Sequence, residues 1–407
     1  MPPAPPARRP VAVFALIMAS VALTWGCGAP DPDAAPRRYL AITHSALDRV
    51  SFFDLDRREV LGVLPTQKLP HDMLATADAR TLFVVNSGGQ CLSAYDVGAP
   101  ELWRQAREFM TRDSARVAGR PAAAAPRQLP GTIERHRLTS PLFPARAHAV
   151  HVRDSAFTRE SCTDCHDRSV GERPFAPVFV RGGQAIRMVH MTSREIVEVD
   201  AATLAPLRRW PLPIPEHFTP IEAWVKPGTD TAFVTCRDSI GRGLPGTITV
   251  VDLASGNLVR RIETGVYPWH LVPTPDGRSL IVNHFQGSRL AIVDVAGKQV
   301  VDSIVVENGP ASMLFVDGGR TLLVSCFYTQ RVLVVDFATR QVTRRIPVGS
   351  NPTSLLDTGE GGRVWVLCGG ESELQLLDFH TGQVAERHPL LFGAYAIQLV
   401  PPRRQSR

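Results

Sequence analysis

An aspartate that closes an apolar run returns along this chain at a nearly constant spacing. It stands at Asp54, Asp96, Asp200, Asp252, Asp294, Asp336 and Asp378. The three intervals from Asp252 to Asp378 are 42 residues each, as is the interval from Asp54 to Asp96. A proline precedes most of these aspartates by 26 residues, and turns such as Pro275-Asp276-Gly277 separate the apolar runs between them. Each unit therefore predicts four short antiparallel strands, a to d, which make one propeller blade.

Seven aspartates predict an all-β, seven-bladed β-propeller. The run Ala394–Val400 falls where a strand a is due, while Tyr39–Leu64 supplies only strands b, c and d. Pairing of the two ends would complete the first blade and remove the open edges of the ring, the arrangement known as Velcro closure. The aspartates themselves are predicted to cap the turn between strands c and d by accepting hydrogen bonds from backbone amides.

The stretch Leu82–Asp96, with the sequence LFVVNSGGQCLSAYD, resembles the YVTN-type repeats of bacterial exported propellers. The resemblance covers nearly all of residues 39–401. It implies the fold and leaves the function open, because this scaffold carries binding modules and enzymes alike.

The N-terminal residues are typical of an export signal. Arg8 and Arg9 precede the apolar run Val11–Gly26, which is short for a membrane span. Cys27 follows in a context similar to a bacterial lipoprotein box, so lipidation is predicted there. Ordinary cleavage nearby and an uncleaved anchor are the alternatives, and all three predict a periplasmic or other extracytoplasmic location. The predicted divisions are a signal peptide at 1–26, a tether at 27–38, the propeller at 39–401 and a tail at 402–407.

One interval breaks the repeat, because Asp96 and Asp200 are 104 residues apart. Pro174 stands 26 residues before Asp200, so blade 3 has the usual length. With strand d of blade 2 taken to end soon after Trp103, the additional residues are predicted to form an irregular or partly helical insertion at 108–170. This insertion would link strand d of blade 2 to strand a of blade 3.

The insertion contains Cys162-Thr163-Asp164-Cys165-His166. The pattern Cys-x-x-Cys-His is the attachment signature of c-type haem: Cys162 and Cys165 bind the vinyl groups, and His166 ligates the iron. A disulfide between the two cysteines and a zinc site are the alternatives, although no second paired motif at zinc spacing accompanies them. Within the insertion, the sixth ligand of the iron could come from Met110, His136, His148 or His151.

Ten residues before the aspartates, at the end of strand b, stands a column of mostly His and Cys, with six additional residues allowed for in blade 4. Its members are His44, Asn86, His190, Cys236, His284, Cys326 and Cys368. Strand b ends on the face from which the link between blades 2 and 3 emerges. His71 and His270, which follow Pro70 and Pro268, are expected near the same rim. These side chains could ligate the haem iron or hold a copper or zinc ion. Alternatively, they fill the crowded top of the channel as inert packing.

The net charge of +6 is mild and its arginines are scattered among acidic residues, which argues against nucleic-acid binding. No Ser-His-Asp, paired-carboxylate or phosphate-loop pattern is found, so hydrolase and kinase functions are disfavoured. The sequence predicts a monomeric haem c protein that passes single electrons to or from a periplasmic partner and touches the membrane only through a lipid anchor. A haem enzyme acting on a small molecule at the channel mouth and a non-catalytic binding propeller are the alternatives.

Overall fold

The computed structural model describes residues 38–118, 149–151, 173–238 and 243–400. These residues form 28 strands in seven four-stranded antiparallel sheets. Strands a of neighbouring blades contact one another, so strand a lines a central channel and strand d lies outermost. The predicted all-β, seven-bladed propeller is confirmed.

Every blade has its four strands in the order a to d from the channel outwards. Blade 1 consists of β28 (Ala394–Val400), β1 (Tyr39–His44), β2 (Arg49–Asp54) and β3 (Glu59–Pro65). Blade 2 consists of β4 (Pro70–Ala75), β5 (Thr81–Asn86), β6 (Cys91–Asp96) and β7 (Ala149–His151). Blade 3 consists of β8 (Pro174–Val180), β9 (Ala185–His190), β10 (Glu195–Asp200) and β11 (Pro206–Pro211). Blade 4 consists of β12 (Phe218–Val225), β13 (Thr231–Asp238), β14 (Pro245–Asp252) and β15 (Leu258–Val266). Blade 5 consists of β16 (Pro268–Pro273), β17 (Ser279–His284), β18 (Arg289–Asp294) and β19 (Gln299–Val305). Blade 6 consists of β20 (Pro310–Val316), β21 (Thr321–Cys326), β22 (Arg331–Asp336) and β23 (Gln341–Pro347). Blade 7 consists of β24 (Pro352–Asp357), β25 (Arg363–Cys368), β26 (Glu373–Asp378) and β27 (Gln383–Pro389).

The two ends of the propeller sequence meet in blade 1. Strand β28 pairs with β1 in antiparallel register, with Tyr39 opposite Val400 and Ile42 opposite Ile397. The predicted Velcro closure is confirmed, and blade 1 thereby gains the same four strands as the others.

The repeated aspartates cap the turns between strands c and d, as predicted. Asp54 Oδ1 accepts hydrogen bonds from the backbone amides of Asp56 at 2.7 Å and Arg57 at 2.9 Å. The same bond, from an amide two or three residues further on, is made by each of the other six aspartates. The recurring aspartate is therefore explained by turn geometry.

Each strand a begins beside the residue that ends its strand b. Pro70 lies opposite Asn86, and Pro310 lies opposite Cys326. We call this side of the ring the upper face. Because the strands alternate in direction, the turns between strands b and c and the links from strand d to the next blade also lie on the upper face.

Blade 2 differs from the sequence prediction. The residues expected to hold its strand d form the helix α1 (Pro100–Ala118), and the strand that pairs with β6 is β7, with Cys91 opposite His151. The chain is thus interrupted between strands c and d of blade 2, and the placement of strand d before residue 108 was wrong. Residues 152–172, with the Cys-x-x-Cys-His motif, still lie in the link from strand d of blade 2 to strand a of blade 3.

Local sequence explains why this segment is helical. Pro100 occupies the first turn, where its missing N–H costs nothing, and Glu101 complements the helix dipole. The buried residues Trp103 and Ala106 share one helix face that packs on β3. Gly62 makes this contact possible, because a Cβ there would lie only 2.7 Å from Cβ of Ala106.

The core consists of apolar layers between successive blades. Ile281, Leu322 and Val324, for example, form one buried cluster between blades 5 and 6. Alternate residues of each strand face the two neighbouring blades, which explains why the central strands are apolar on both sides. No helix in the described part of the chain is long and apolar enough to cross a membrane.

Candidate functional site at the channel mouth

The column at the ends of strands b lies inside the walls of the ring. His44 is fully buried, and both of its ring nitrogens are engaged: Nδ1 with the carbonyl oxygen of Leu391 at 2.9 Å and Nε2 with Oγ of Ser51 at 2.7 Å. Burial lowers the pKa of His44 to about 4, against the raising effect of its backbone hydrogen bonds. His44 is therefore neutral at pH 7 and offers no lone pair to a metal.

The three cysteines of the column are also packing residues. Cys236, Cys326 and Cys368 are free thiols that belong to apolar clusters between blades. Burial raises the pKa of each thiol to about 12, so the thiolate that would ligate a metal is not formed at neutral pH.

The remaining histidines of the column are similarly placed. His190 is fully buried, and His284 is almost so. Nδ1 of His284 lies 3.1 Å from the carbonyl oxygen of Arg289, and burial lowers its pKa. Among the described residues, no group of three or more His, Cys, Asp or Glu side chains could hold a metal ion. The copper or zinc site therefore stays a prediction without support from these residues. The burial of the column residues instead favours their role as packing residues.

A cavity of about 440 Å³ opens where strands a begin. His71 and His270, predicted from their places after the blade prolines, both line it. The structure thus brings these two histidines to one site and keeps the column apart from it.

His71 and Asp72 form the first of two histidine–carboxylate pairs in the cavity. Nδ1 of His71 lies 3.2 Å from Oδ1 of Asp72, and the imidazole lies between the rings of Phe175 and Tyr395 at centroid distances of 4.0 and 3.9 Å. Oδ2 of Asp72 accepts the backbone amide of Ala176 in the next blade at 2.9 Å. Burial raises the pKa of Asp72, but His71, that amide and His270 together hold it below its ordinary value.

His270 and Glu222 form the second pair. Nδ1 of His270 lies 3.0 Å from Oε2 of Glu222, which also accepts the amide of Leu271 at 2.9 Å. Burial lowers the pKa of His270, yet the carboxylates of Glu222 and Asp72 outweigh it and raise the pKa above the ordinary value. A histidine whose Nδ1–H is held by a carboxylate presents Nε2 as a well-oriented ligand or proton acceptor once it is neutral.

Hydrogen bonds from strands b, two of them between blades and one within blade 5, fix the strands that carry these pairs. The hydroxyl of Thr43 donates to the carbonyl of His71 at 3.1 Å, and that of Thr235 donates to the carbonyl of Trp269 at 3.0 Å. Oδ1 of Asn283 accepts the amide of His270 at 2.6 Å. Thr43, Thr235 and Asn283 each precede a column residue on strand b. Neighbouring residues on a strand point to opposite sides of the sheet. These three side chains therefore reach the channel strands, while the column residue that follows each of them is buried between blades.

The other wall of the cavity is aromatic. The rings of Tyr267 and Trp269 are parallel within 8° at a centroid distance of 6.0 Å, and Phe285 adjoins both. Phe327 continues this wall into blade 6, with its ring 5.4 Å from that of Phe285. The site therefore combines a flat apolar surface with two imidazoles oriented by carboxylates.

Several predicted residues lie outside the described residues: Cys27, His136, His148, Cys162, Cys165 and His166. Met110 is partly buried on α1, and His151 ends β7. The haem attachment at Cys162, Cys165 and His166 thus stays a prediction.

Sequence reasoning missed Asp72, Glu222 and the aromatic wall. A signal was available for the carboxylates, because Asp72, Glu222 and His270 all stand two residues after a blade proline. Comparison of that position across blades would have placed them around the channel. The aromatic wall comes from turns and links as well as strands, so no single repeat position identifies it.

The fold and the mouth define the class: a seven-bladed β-propeller with a polar and aromatic cavity at one end of its channel. No protein-family model and no curated protein sequence matches the chain, so the YVTN-type resemblance stays a prediction.

Solved structures share the fold at low identity. The periplasmic gluconolactonase PpgL of Pseudomonas aeruginosa is 14% identical with a TM-score of 0.60, over 90% of this chain and 99% of that one. The hydrazine synthase of Kuenenia stuttgartiensis is 14% identical with a TM-score of 0.58, over 86% and 93%. The dihydro-haem d1 dehydrogenase NirN, in complex with DHE, is 12% identical with a TM-score of 0.54, over 92% and 77%. Identities this low indicate a common fold only.

Proposed function

We propose that this protein is an exported c-type cytochrome on a propeller scaffold, which exchanges single electrons with a periplasmic partner. Its one haem would be attached through Cys162 and Cys165, with His166 as the axial ligand. When bound, the haem supplies a one-electron redox couple. The observation that carries the proposal is that the link bearing the motif starts after His151 and ends before Arg173, both on the upper face where the mouth opens.

The length of the link is compatible with a haem over the mouth. His166 precedes Arg173 by seven residues, a span of at most about 25 Å when fully extended. Arg173 in turn adjoins Pro174, whose carbonyl accepts a hydrogen bond from Ser87 on the upper face. A link of this length would allow the motif to lie above the upper face.

The residues at the mouth fit such a group. The rings of Tyr267, Trp269 and Phe285 supply the flat apolar surface that a macrocycle requires. Of the two mouth histidines, His270 would be the better second ligand of the haem iron, because its side chain is 33% exposed against 12% for His71, which packs against two rings. Glu222 orients the imidazole of His270 and leaves Nε2 for the iron.

The remaining parts of the proposal rest on the sequence. Lipidation at Cys27 would tether the propeller to a membrane surface through residues 27–38, after removal of residues 1–26. The partner would be a periplasmic redox protein, with no role for nucleic acid and no requirement for an oligomer.

The absorption spectrum of protein exported to the periplasm tests the proposal. We expect haem that stays attached after denaturation and gives the pyridine haemochrome spectrum of two thioether bonds, and we expect both to vanish in Cys162→Ser/Cys165→Ser. Absence of covalent haem from the unchanged protein would refute the function.

A second measurement tests the axial ligand. In His270→Ala, we expect the low-spin spectrum to become high-spin and the iron to bind cyanide. The matched control is His380→Ala, which removes a 59% exposed histidine from the c–d turn of blade 7 on the opposite face. Equal spectra of the two variants would exclude His270 as a ligand.

The cavity also supports a second candidate function, a haem enzyme acting on a small molecule. Its volume of about 440 Å³ and its two histidine–carboxylate pairs would accommodate and protonate a small substrate. Cyanide binding to the unchanged protein would indicate an open iron position and would favour the enzyme over the electron carrier.

A further inference from the structure

Two arginines lie together at the rim of the mouth. Arg173 directly precedes β8, and Arg237 follows Cys236 near the end of β13. Arg237 lies opposite Thr219 at the start of β12, and β12 and β8 are neighbouring channel strands, so both arginines lie at the same part of the rim. Burial lowers the pKa of Arg237, and the positive charge of Arg173 lowers it further. Like charges brought together in a partly buried position cost free energy unless an anion compensates them.

Arg237 lies over two rings of the aromatic wall. Its guanidinium carbon lies 4.4 Å from the ring centroid of Tyr267 and 4.9 Å from that of Trp269. Its buried Nε has no hydrogen-bond partner, and within the described ranges neither arginine forms an ion pair with a carboxylate. The rings thus hold the guanidinium group by cation–π contacts, and its N–H donors remain for an anionic ligand.

We propose that Arg173 and Arg237 form a carboxylate-binding site, in which Tyr267 and Trp269 provide the apolar surface for a planar ligand body. The fork of N–H donors on a guanidinium matches the two oxygens of a carboxylate, and stacked rings favour a flat molecule beside it.

The distribution of charge fixes the orientation of the ligand. Asp72 and Glu222 stand two residues further along their strands than the blade prolines, so they lie deeper in the channel than the arginines. A carboxylate is repelled by these acidic groups and attracted to the rim. The ligand therefore points its carboxylate outward and its apolar body towards the cavity.

The carboxylate could come from two sources. One is a propionate of the haem, and this source rests on the function proposed above. The other is a free aromatic carboxylate that diffuses into the mouth. Both share the chemistry that the site recognises, and the experiment separates them.

The probe is benzoate, whose NMR line broadening reports weak binding. It is added to the exported protein and to Cys162→Ala/Cys165→Ala, which cannot attach haem covalently. Each is compared with versions carrying Arg237→Gln or Arg173→Gln. The matched control is Arg278→Gln, which removes an exposed arginine from the a–b turn of blade 5 on the opposite face. Arg173→Gln alters a side chain on the surface, so it keeps the test valid if Arg237→Gln does not fold.

We expect benzoate to bind the haem-free variant and to lose at least tenfold in affinity with either mouth substitution, but not with Arg278→Gln. Binding to the haem-free variant alone identifies the haem propionate as the native occupant, and binding to both proteins identifies a free carboxylate. If the unchanged protein carries no haem, the proposed function fails while the comparison of Arg173, Arg237 and Arg278 still decides the site. No binding to the haem-free variant, or equal effects of all three substitutions, overturns the proposal.

Discussion

Two histidine positions near the upper face give opposite chemistry. His44, at the end of a strand b, is sealed in the wall with both nitrogens engaged, and its pKa is lowered to about 4. His270, near the start of a strand a, borders the cavity with a carboxylate on Nδ1, and its pKa is raised. The residue type alone therefore does not indicate function in this ring. Which side of its strand a residue occupies decides between packing and chemistry.

The largest expected effect is a loss of stability, which would come from placing a carboxyl group in the buried layer between blades. Cys236 is fully buried in an apolar cluster, where burial raises the pKa of the thiol to about 12, so an aspartate carboxylate there would lose its hydration. We expect Cys236→Asp to lower the free energy of unfolding by about 3–5 kcal/mol. The measurement is urea unfolding followed by circular dichroism.

Cys236→Val is the matched control, because it replaces the thiol by a slightly larger apolar side chain that is favoured in strands and carries no charge. It should cost less than about 1.5 kcal/mol. If the valine variant were as unstable as the aspartate variant, the thiol would have a role beyond packing and the contrast with the mouth would fail.

The next largest effect is the loss of folding stability at acidic pH caused by the buried His44. His44 has a pKa of about 4 in the folded protein against 6.5 as its ordinary value, so the unfolded chain takes up the proton first as the pH falls. Stability is then lost between about pH 6.5 and pH 4, by about 2–3 kcal/mol between pH 7 and pH 4.5. His44→Gln, which does not titrate, should lack this part of the loss. Urea unfolding of both proteins at the two pH values measures the difference, and parallel losses would contradict the assignment.

The smallest effect is expected at the channel mouth, where it is a change in the pKa of His270. Glu222→Gln removes the larger of the two carboxylate contributions to His270, so the pKa of His270 should fall. Asp72→Asn should lower it less. Histidine NMR titration follows the Cε1 proton of His270 in the three proteins. An unchanged pKa in Glu222→Gln would show that the pair at 3.0 Å does not control the imidazole.

Much of the architecture follows from sequence because each blade repeats one set of turn and strand constraints. Asp54 and Asp378 are equivalent positions with the same hydrogen bonds, so spacing alone predicts the blades and their closure. A partly helical insertion was predicted from residue 108, and α1 agrees with it, but the start of the helix at Pro100 was missed although Pro100, Glu101 and the buried face with Ala106 are helix signals. The repeat implied a strand there, and a tertiary contact at Gly62 favoured a helix instead.

The candidate site was predictable only in part. His71 and His270 were found by their offset from the blade prolines. Glu222 was missed because its contact with His270 runs between blades, so no single repeat unit contains both members. Asp72 follows His71 directly, but its position two residues after a blade proline was not compared across the blades. The opposite roles of Thr43 and His44 follow from strand alternation, which fixes the side of the sheet but not what lies beyond it.

The pairing of Tyr39 with Val400 has a kinetic consequence. Synthesis delivers β1 before, and β28 after, all the other strands of the propeller, so the ring cannot close until β28 has emerged. Until then β1 has an unpaired edge, open to association with other chains. High contact order of this kind slows folding. A chain that stops before Ala394 would thus differ from one that includes β28 in its tendency to aggregate more than in the structure of its middle blades.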